Sequence, residues 1–470
     1  MDHQAKSPRS RGRPTGLEPV RIDRPRRIAA KFLGGFVPAV AYHFGVLEVL
    51  EERGFRLRSG FREPGDAREI GPPGIDLAVG SSAGAFFVVA ACAGVDRREL
   101  AGTIEGEAAE VAAFQARYLG QGKGLGRKLW DYLQDGVKPS WKARRTWKAW
   151  AAESTLNALF PLWSIDPIAS YLQEEILGGR DWADLRTEAA ILAVDLNHPV
   201  TYVLGEHESP ILRLFREQPV HPEAIHQILG SEGYKIFHEF VAAGVAPEHP
   251  DLAPFRADPS ARHTTVYVRG VPMARAAAGS MAAYPFYAPV DLVTAQGRPY
   301  RLGHYTPIVI DGEDRDPFTT DVTEETGADL VFISSISTPY KFLHSMGSLA
   351  GKGFPELHAQ KATQSRDAKQ DSAARTHATY RRLFDGAREV LERSGCGEQA
   401  VLELHEAFKR IAWVDHVRVR VTPDPDVAIE SRLLRRLDPL AFTPQAVDRA
   451  FDLGRRVAER VLGQYRFEFL

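Results

Sequence analysis

The chain has 470 residues, with 59 lysines and arginines against 61 aspartates and glutamates and a formal net charge of −2. That balance argues against a dedicated nucleic-acid binder, whose domain is normally strongly basic, and the only two cysteines, Cys92 and Cys396, exclude a disulfide scaffold or a cysteine-based zinc module. Apolar residues at 44% are ordinary for a globular protein, and the length allows several units or one decorated α/β domain with a sizeable core.

The first 27 residues are polar and arginine-rich, with Arg9, Arg11, Arg13, Arg21, Arg24, Arg26 and Arg27 and no apolar core. They do not read as a secretory signal and are expected to form a disordered basic arm. No run reaches the ~18 apolar residues that a membrane span needs. Contact with lipid would therefore be peripheral, and the expected location is cytoplasmic.

Ordered structure is expected from Arg27 to Leu33, a short strand that runs into Gly34-Gly35. A helix then starts near Pro38, carries Val40, Phe44, Leu47 and Leu50 at helical spacing, and stops at Gly54. Pro38 suits a first helical position, where its missing N–H is no loss. A second strand, Ile75 to Val79, ends in Gly80-Ser81-Ser82-Ala83-Gly84 and feeds an apolar helix from Ala85 to Gly94. Strand, glycine turn and helix, repeated, is the pattern of a parallel α/β sheet.

Further strands are read at Ala189–Leu196, Tyr202–Gly205, Thr264–Val268, Pro307–Ile310 and Asp329–Ser335, the last two being apolar runs of the kind buried on both faces. Two long segments fall outside a minimal sheet: 96–165, helical, basic and tryptophan-rich, and 206–262, rich in histidine and proline. From 341 to 470 the chain reads as a mainly helical extension packing on the domain formed by 28–340. It carries a charged stretch near 361–375, a strand at His416–Val421 and a terminal helix at Pro444–Leu462.

Gly80-x-Ser82-x-Gly84 matches a nucleophile elbow. A serine on a tight strand-to-helix turn needs small neighbours, and the turn pushes its hydroxyl out of the sheet. The bland alternative is a structural turn in which Ser81 or Ser82 caps a helix. A serine nucleophile needs a base, either histidine with aspartate or a lone carboxylate. None of the 15 histidines sits in a recognisable signature, and no H-E-x-x-H zinc motif occurs. Asp311 ends the apolar strand Pro307–Ile310, at the edge where α/β sites are built. As an Asp-Gly dipeptide with Gly312 it also reads as a plain turn.

Taken together, these pieces resemble the patatin-like phospholipases. Five stretches carry the likeness in order: Leu33-Gly34-Gly35 through Ala41-Tyr42-His43-Phe44-Gly45-Val46-Leu47, the elbow around Ser82, Ala193-Val194-Asp195-Leu196-Asn197, Ala276 through Pro289-Val290, and Asp311-Gly312 followed by Gly327-Ala328-Asp329. The resemblance covers roughly 28–340. It implies a three-layer α/β/α fold with a mainly parallel sheet, and a Ser82–Asp311 dyad without histidine. It also implies an oxyanion hole from the backbone of Gly34, Gly35 and Phe36, with Gly80 and Gly84 shaping the elbow. No metal or organic cofactor is needed by such a dyad, and the implied partner is a lipid or ester substrate.

The chain departs from the family's pattern in two places. Phe36 and Val37 stand where further glycines are usual, with Ala39 at the place of a cation. Gly312 is followed by Glu313 instead of a second glycine. Trp130, Trp141, Trp147 and Trp150 lie among lysines and arginines, which suits a lipid interface and equally a helical cap packed on the sheet. Two other readings stay open: a catalytically weak lipid-binding or regulatory relative, and a Ser-His-Asp esterase completed by a later histidine such as His344 or His416.

Overall fold

The computed structural model describes residues 19–22, 25–63, 65–95, 164–198, 200–207, 264–283, 287–301, 306–313, 322–323, 326–337, 382–401, 403–404, 417–424, 426–434 and 444–470. Trp130, Trp141, Trp147, Trp150, His344, His416 and nearly all of both long insertions lie outside these residues.

Strand β1 spans Val20–Ile22, within the stretch expected as an arm, and β2 spans Ile28–Phe32. Helix α1 follows at Phe36–Glu52. It begins two residues earlier than the proline signal indicates, because Gly35, at φ 147, turns the chain straight into the helix. Pro38 is then the third helical residue, still among the first N–H positions that have no partner inside a helix. At the other end Gly54 N–H bonds to Glu51 O and Phe55 N–H to Leu50 O, with Gly54 at φ 96. This is the paired closure that glycine makes easy.

The expected second strand is split at Asp76. Short strands β3 (Arg56–Leu57) and β4 (Gly74–Ile75) pair with each other, and β5 (Leu77–Ser81) enters the main sheet. Helix α2 (Ala83–Ala93) leaves β5 at Ser82. After α3 (Asp166–Tyr171) come β6 (Glu188–Asp195), β7 (Val200–Gly205) and β8 (Thr264–Val268), then α4 (Met273–Ser280), β9 (Val290–Asp291) and β10 (Ile308–Ile310). Strands β11 (Leu330–Ser334) and β12 (Val417–Val421), helices α5 (Ala428–Leu434) and α6 (Pro444–Leu462), and β13 (Tyr465–Phe467) complete the order.

The chain has an α/β fold built on a mainly parallel nine-stranded sheet, ordered β12-β11-β2-β5-β6-β10-β9, with β7 also on β6 and β8 beside β7. Strands β2, β5 and β11 are buried along all five residues. Alternation sends Ala30 and Phe32 into one apolar core, shared with α1, α2, α4 and α6, and Ala29 and Leu33 into a second core on the other face. Each fully buried Phe or Leu contributes about 1.5–3 kcal/mol of transfer free energy. The C-terminal region is woven into this body: α6 packs on α1, β12 pairs in parallel with β11, and β13 pairs with β1.

Three strands, β7, β8 and β10, run against the parallel direction, β8 being parallel to β7. Strands β7 and β10 are both antiparallel to β6. For β10 this changes the reason that Asp311 reaches the site, since it does not follow a parallel strand to its carboxyl edge. Glu188 N–H donates to Asp76 O and Leu196 N–H to Ile308 O. These donors are an even number of residues apart, so β5 and β10 share one edge of β6. Strand β5 climbs that edge to Ser81, opposite Leu192, and β10 descends it to Ile310, opposite Val194. The next residue of each, Ser82 and Asp311, meets the other at the level of Ala193.

Candidate active site

Ser82 stands between β5 and α2 at φ 52, ψ −128. It is the only residue other than glycine with positive φ among the described residues. A side chain held in that region costs of order 1–3 kcal/mol, and such strain gathers at functional turns. Small neighbours make the turn sterically possible. A Cβ on Gly84 would lie 2.0 Å from Phe32 O, and one on Gly80 2.6 Å from Gly84 O. Both glycines of the elbow motif are therefore required by close backbone approach.

The Ser82 hydroxyl donates to Asp311 Oδ2 at 2.6 Å, within the short range of an O–H···O⁻ bond. Asp311 is 6% exposed, and its other oxygen, Oδ1, accepts the Glu313 N–H at 2.8 Å. The strand end is fixed from behind, where Asp311 N–H bonds to Ala282 O and Gly312 N–H to Ser280 O. Ser280, at the end of α4, also accepts the Ser82 N–H at 2.8 Å while donating to Leu192 O at 2.6 Å. One buried hydroxyl thus ties the elbow to β6. Sequence reading placed this helix in its motif but gave Ser280 no role.

The glycine loop passes in contact with Ser82. A Cβ on Gly34 would lie 2.6 Å from Ser82 Cβ and 2.9 Å from Ser82 Oγ, so only glycine lets the backbone come so near. The Gly34 N–H donates to Glu313 Oε1, which also accepts from the Ser81 hydroxyl at 3.2 Å. Gly35 caps α1 and Phe36 is its first residue. The backbone of Phe36 therefore belongs to the positive N-terminal end of a helix, where negative charge is favoured. Helix α2 presents its own N-terminus directly after Ser82.

His43 is a second residue that motif reading did not equip with a role. Its ring is fully buried, with Nε2 2.6 Å from Leu33 O and Nδ1 2.7 Å from Ser334 Oγ. A carbonyl oxygen only accepts, so Nε2 carries the proton and Nδ1 accepts from the Ser334 hydroxyl. Burial lowers the His43 pKa to about 4, against the raising effect of the Leu33 bond, so the ring is neutral near pH 7. Leu33 C=O and Gly34 N–H belong to one planar trans peptide and point in opposite directions. By holding the carbonyl inward, His43 aims the Gly34 N–H the opposite way, where it meets Glu313 Oε1.

Elsewhere, the Cys92 thiol is buried and its pKa is pushed up to about 12, which leaves it inert near neutral pH. Among the described residues no three His, Cys, Asp or Glu side chains are grouped to hold a metal ion. No described helix is long and apolar enough to cross a membrane.

Of the residues singled out in the sequence, Ser82, Asp311, Gly34, Gly35, Phe36, Gly80 and Gly84 converge on one edge of β6 and the loop beside it. A family model described as patatin-like phospholipase matches residues 32–323, which spans every one of them. No curated protein matches the chain.

Proposed function

Since the chain belongs to the patatin-like phospholipase family, a family of lipid acyl hydrolases, we propose that it cleaves acyl esters of phospholipid or lysophospholipid type through a Ser82–Asp311 dyad. The observation that carries this reading is the 2.6 Å hydrogen bond from Ser82 Oγ to Asp311 Oδ2. The carboxylate receives the hydroxyl proton directly, with no imidazole between them. This geometry favours a dyad over a triad completed by His344 or His416.

In the proposed reaction Ser82 Oγ attacks the ester carbonyl carbon as Asp311 takes its proton. The carbonyl oxygen gains negative charge and is met by the Gly34 N–H at the foot of α1, reinforced by the N-terminal ends of α1 and α2. The tetrahedral intermediate collapses when protonated Asp311 returns the proton to the leaving alkoxide, which departs as the alcohol or lysolipid. Water then attacks the acyl-Ser82 carbonyl while giving a proton to Asp311. Collapse of the second intermediate breaks the Oγ–acyl bond, frees the fatty acid and returns the proton to Oγ. Removing one oxyanion donor typically lowers the rate about 100–1000-fold, so the aim of Gly34 bears directly on turnover.

Access to a lipid surface would fall to the tryptophans of the 96–165 insertion, Trp130, Trp141, Trp147 and Trp150, with their basic neighbours. The test is fatty-acid release from phospholipid and lysophospholipid vesicles by wild type, Ser82→Ala and Asp311→Asn. Release by wild type that both variants lose supports the dyad. Release that either variant retains at the wild-type rate rejects it. Vesicle binding without release by any form favours the non-catalytic lipid-binding reading.

A further inference from the structure

Glu313 lies two residues beyond Asp311, in a turn fixed by its own N–H on Asp311 Oδ1. From there its side chain reaches the glycine loop, where Oε1 accepts both the Gly34 N–H and the Ser81 hydroxyl. The ideal Cβ position on Gly34 is 2.9 Å from Glu313 Cδ and equally 2.9 Å from Ser82 Oγ. The carboxylate and the nucleophile therefore flank the same glycine.

We propose that Glu313 is a built-in competitor for the oxyanion donor: its carboxylate oxygen stands where the ester carbonyl oxygen must go, and acylation of Ser82 requires it to swing away. This rests on the dyad reading above. A donor aimed to stabilise developing negative charge binds a full carboxylate more strongly than a neutral ester carbonyl, because charge-assisted hydrogen bonds are the stronger class. The ester therefore reacts only from the fraction of molecules in which Gly34 is unoccupied, and its apparent affinity falls by that fraction. Movement is open to Glu313, whose side chain is long and only partly buried at the end of a turn. Asp311 lacks that freedom, being buried and held at both carboxylate oxygens. One acidic side chain thus serves as base and its near neighbour guards the donor.

The test is the second-order rate at which a fluorophosphonate modifies the purified full-length protein, followed by intact mass. Wild type, Glu313→Gln, Glu313→Gly and Ser82→Ala are compared, with thermal melting of each. Glu313→Gly removes the competitor and should be modified about tenfold faster or more, given the strength of bonds to charged groups. Glu313→Gln keeps an acceptor oxygen without the charge and should fall between Glu313→Gly and wild type. A gain of rate is not something that damage to the fold produces. If Glu313→Gly melts early, the Gln variant decides. Glu313 variants modified no faster than a wild type that does label on Ser82 overturn the proposal and leave the dyad standing. Absence of labelling in every form, or labelling that survives Ser82→Ala, overturns the dyad reading and the competitor with it.

Discussion

At the amino ends of the parallel strands, Asp76 accepts the N–H groups of Ile28 and Gly71 and a guanidinium bond from Arg58. Nearby, Glu188 joins Arg27 to His207, whose Nδ1 is 2.7 Å away, and Asp329 accepts the N–H groups of Arg26 and Arg27. On the other side of the same strands, Asp311 accepts from Ser82 and Glu313 accepts from Gly34 and Ser81. Both ends thus concentrate carboxylates on hydrogen-bond donors, backbone amides among them, and what sets the second end apart is that its carboxylates also accept from serine hydroxyls. Amide and guanidinium protons stay where they are near neutral pH, so the amino-end carboxylates fasten the chain. A serine hydroxyl can surrender its proton to the carboxylate it faces, and this is the role the proposed dyad gives Asp311. The difference lies in the partner and not in the carboxylate's residue type or burial.

Substitutions should separate the two ends by what they damage. Asp311→Asn and Ser82→Ala should each lower ester turnover about a thousandfold or more while shifting the melting temperature little, as steady-state kinetics and calorimetry on the same samples would show. Asp76→Ala should do the reverse. Loss of a buried carboxylate that serves two amides and a guanidinium should cost about 3 kcal/mol of stability, read by denaturant unfolding, with kcat of the remaining folded enzyme near wild type. If Asp76→Ala instead removed activity from a fully stable protein, the division between the ends would fail.

Acid should probe both ends in sequence. Burial holds the folded His43 pKa at about 4, below its ordinary 6.5. The unfolded chain therefore binds the extra proton first, and stability falls as pH drops from 6.5 to 4, by about 3 kcal/mol in all. Glu188 acts lower. Burial raises its pKa, but the His207 bond and the charges of His207, Arg27 and Arg68 outweigh this and bring it from 4.5 down to about 2. Its stabilising share is present above 4.5 and is lost as pH falls through 2. His43→Gln should remove the upper part of the acid slope and keep the lower part. An unchanged slope between 6.5 and 4 would contradict the buried neutral ring.

His43 also sharpens the comparison at the Ser82 end, where in the proposed reaction it touches no reacting atom and would act through a peptide plane. His43→Ala should reduce kcat about 10–100-fold, less than loss of an oxyanion donor altogether, with KM changed much less. His43→Gln keeps an N–H that can reach Leu33 O and should recover part of the rate. A purely structural role would move stability alone and show no such recovery. Smallest of all, Glu188→Gln should cost about 2 kcal/mol through its weakened bonds to Arg27 and His207 and leave kcat unchanged.

The parts of this arrangement that could be read from sequence are those written over a few adjacent residues. Gly80, Ser82 and Gly84 announce the elbow because strand, tight turn and helix are contiguous. Asp311 stands out as a carboxylate ending an apolar run. The fold class follows from the same repeated strand–turn–helix unit, and Pro444–Leu462 is legible from its 3.6-residue periodicity. What could not be read depends on register between distant segments. Ser280 meets Ser82 across 198 positions, Ser334 meets His43 across 291 and Glu313 meets Gly34 across 279. The direction of β10 was equally hidden, because three apolar residues carry no signal that distinguishes parallel from antiparallel pairing. Glu313 was visible as a departure from a glycine, but its contact with the Gly34 N–H emerges only once β5 and β10 share an edge.

The most direct measurement is site mapping of a fluorophosphonate adduct on the full-length protein, by peptide mass spectrometry after reaction of wild type, Ser82→Ala and Asp311→Asn. A serine activated by Asp311 predicts a single adduct on Ser82 in wild type, none anywhere in Ser82→Ala, and strongly slowed formation in Asp311→Asn. An adduct on another residue, or one on Ser82 that forms as fast in Asp311→Asn as in wild type, would contradict it.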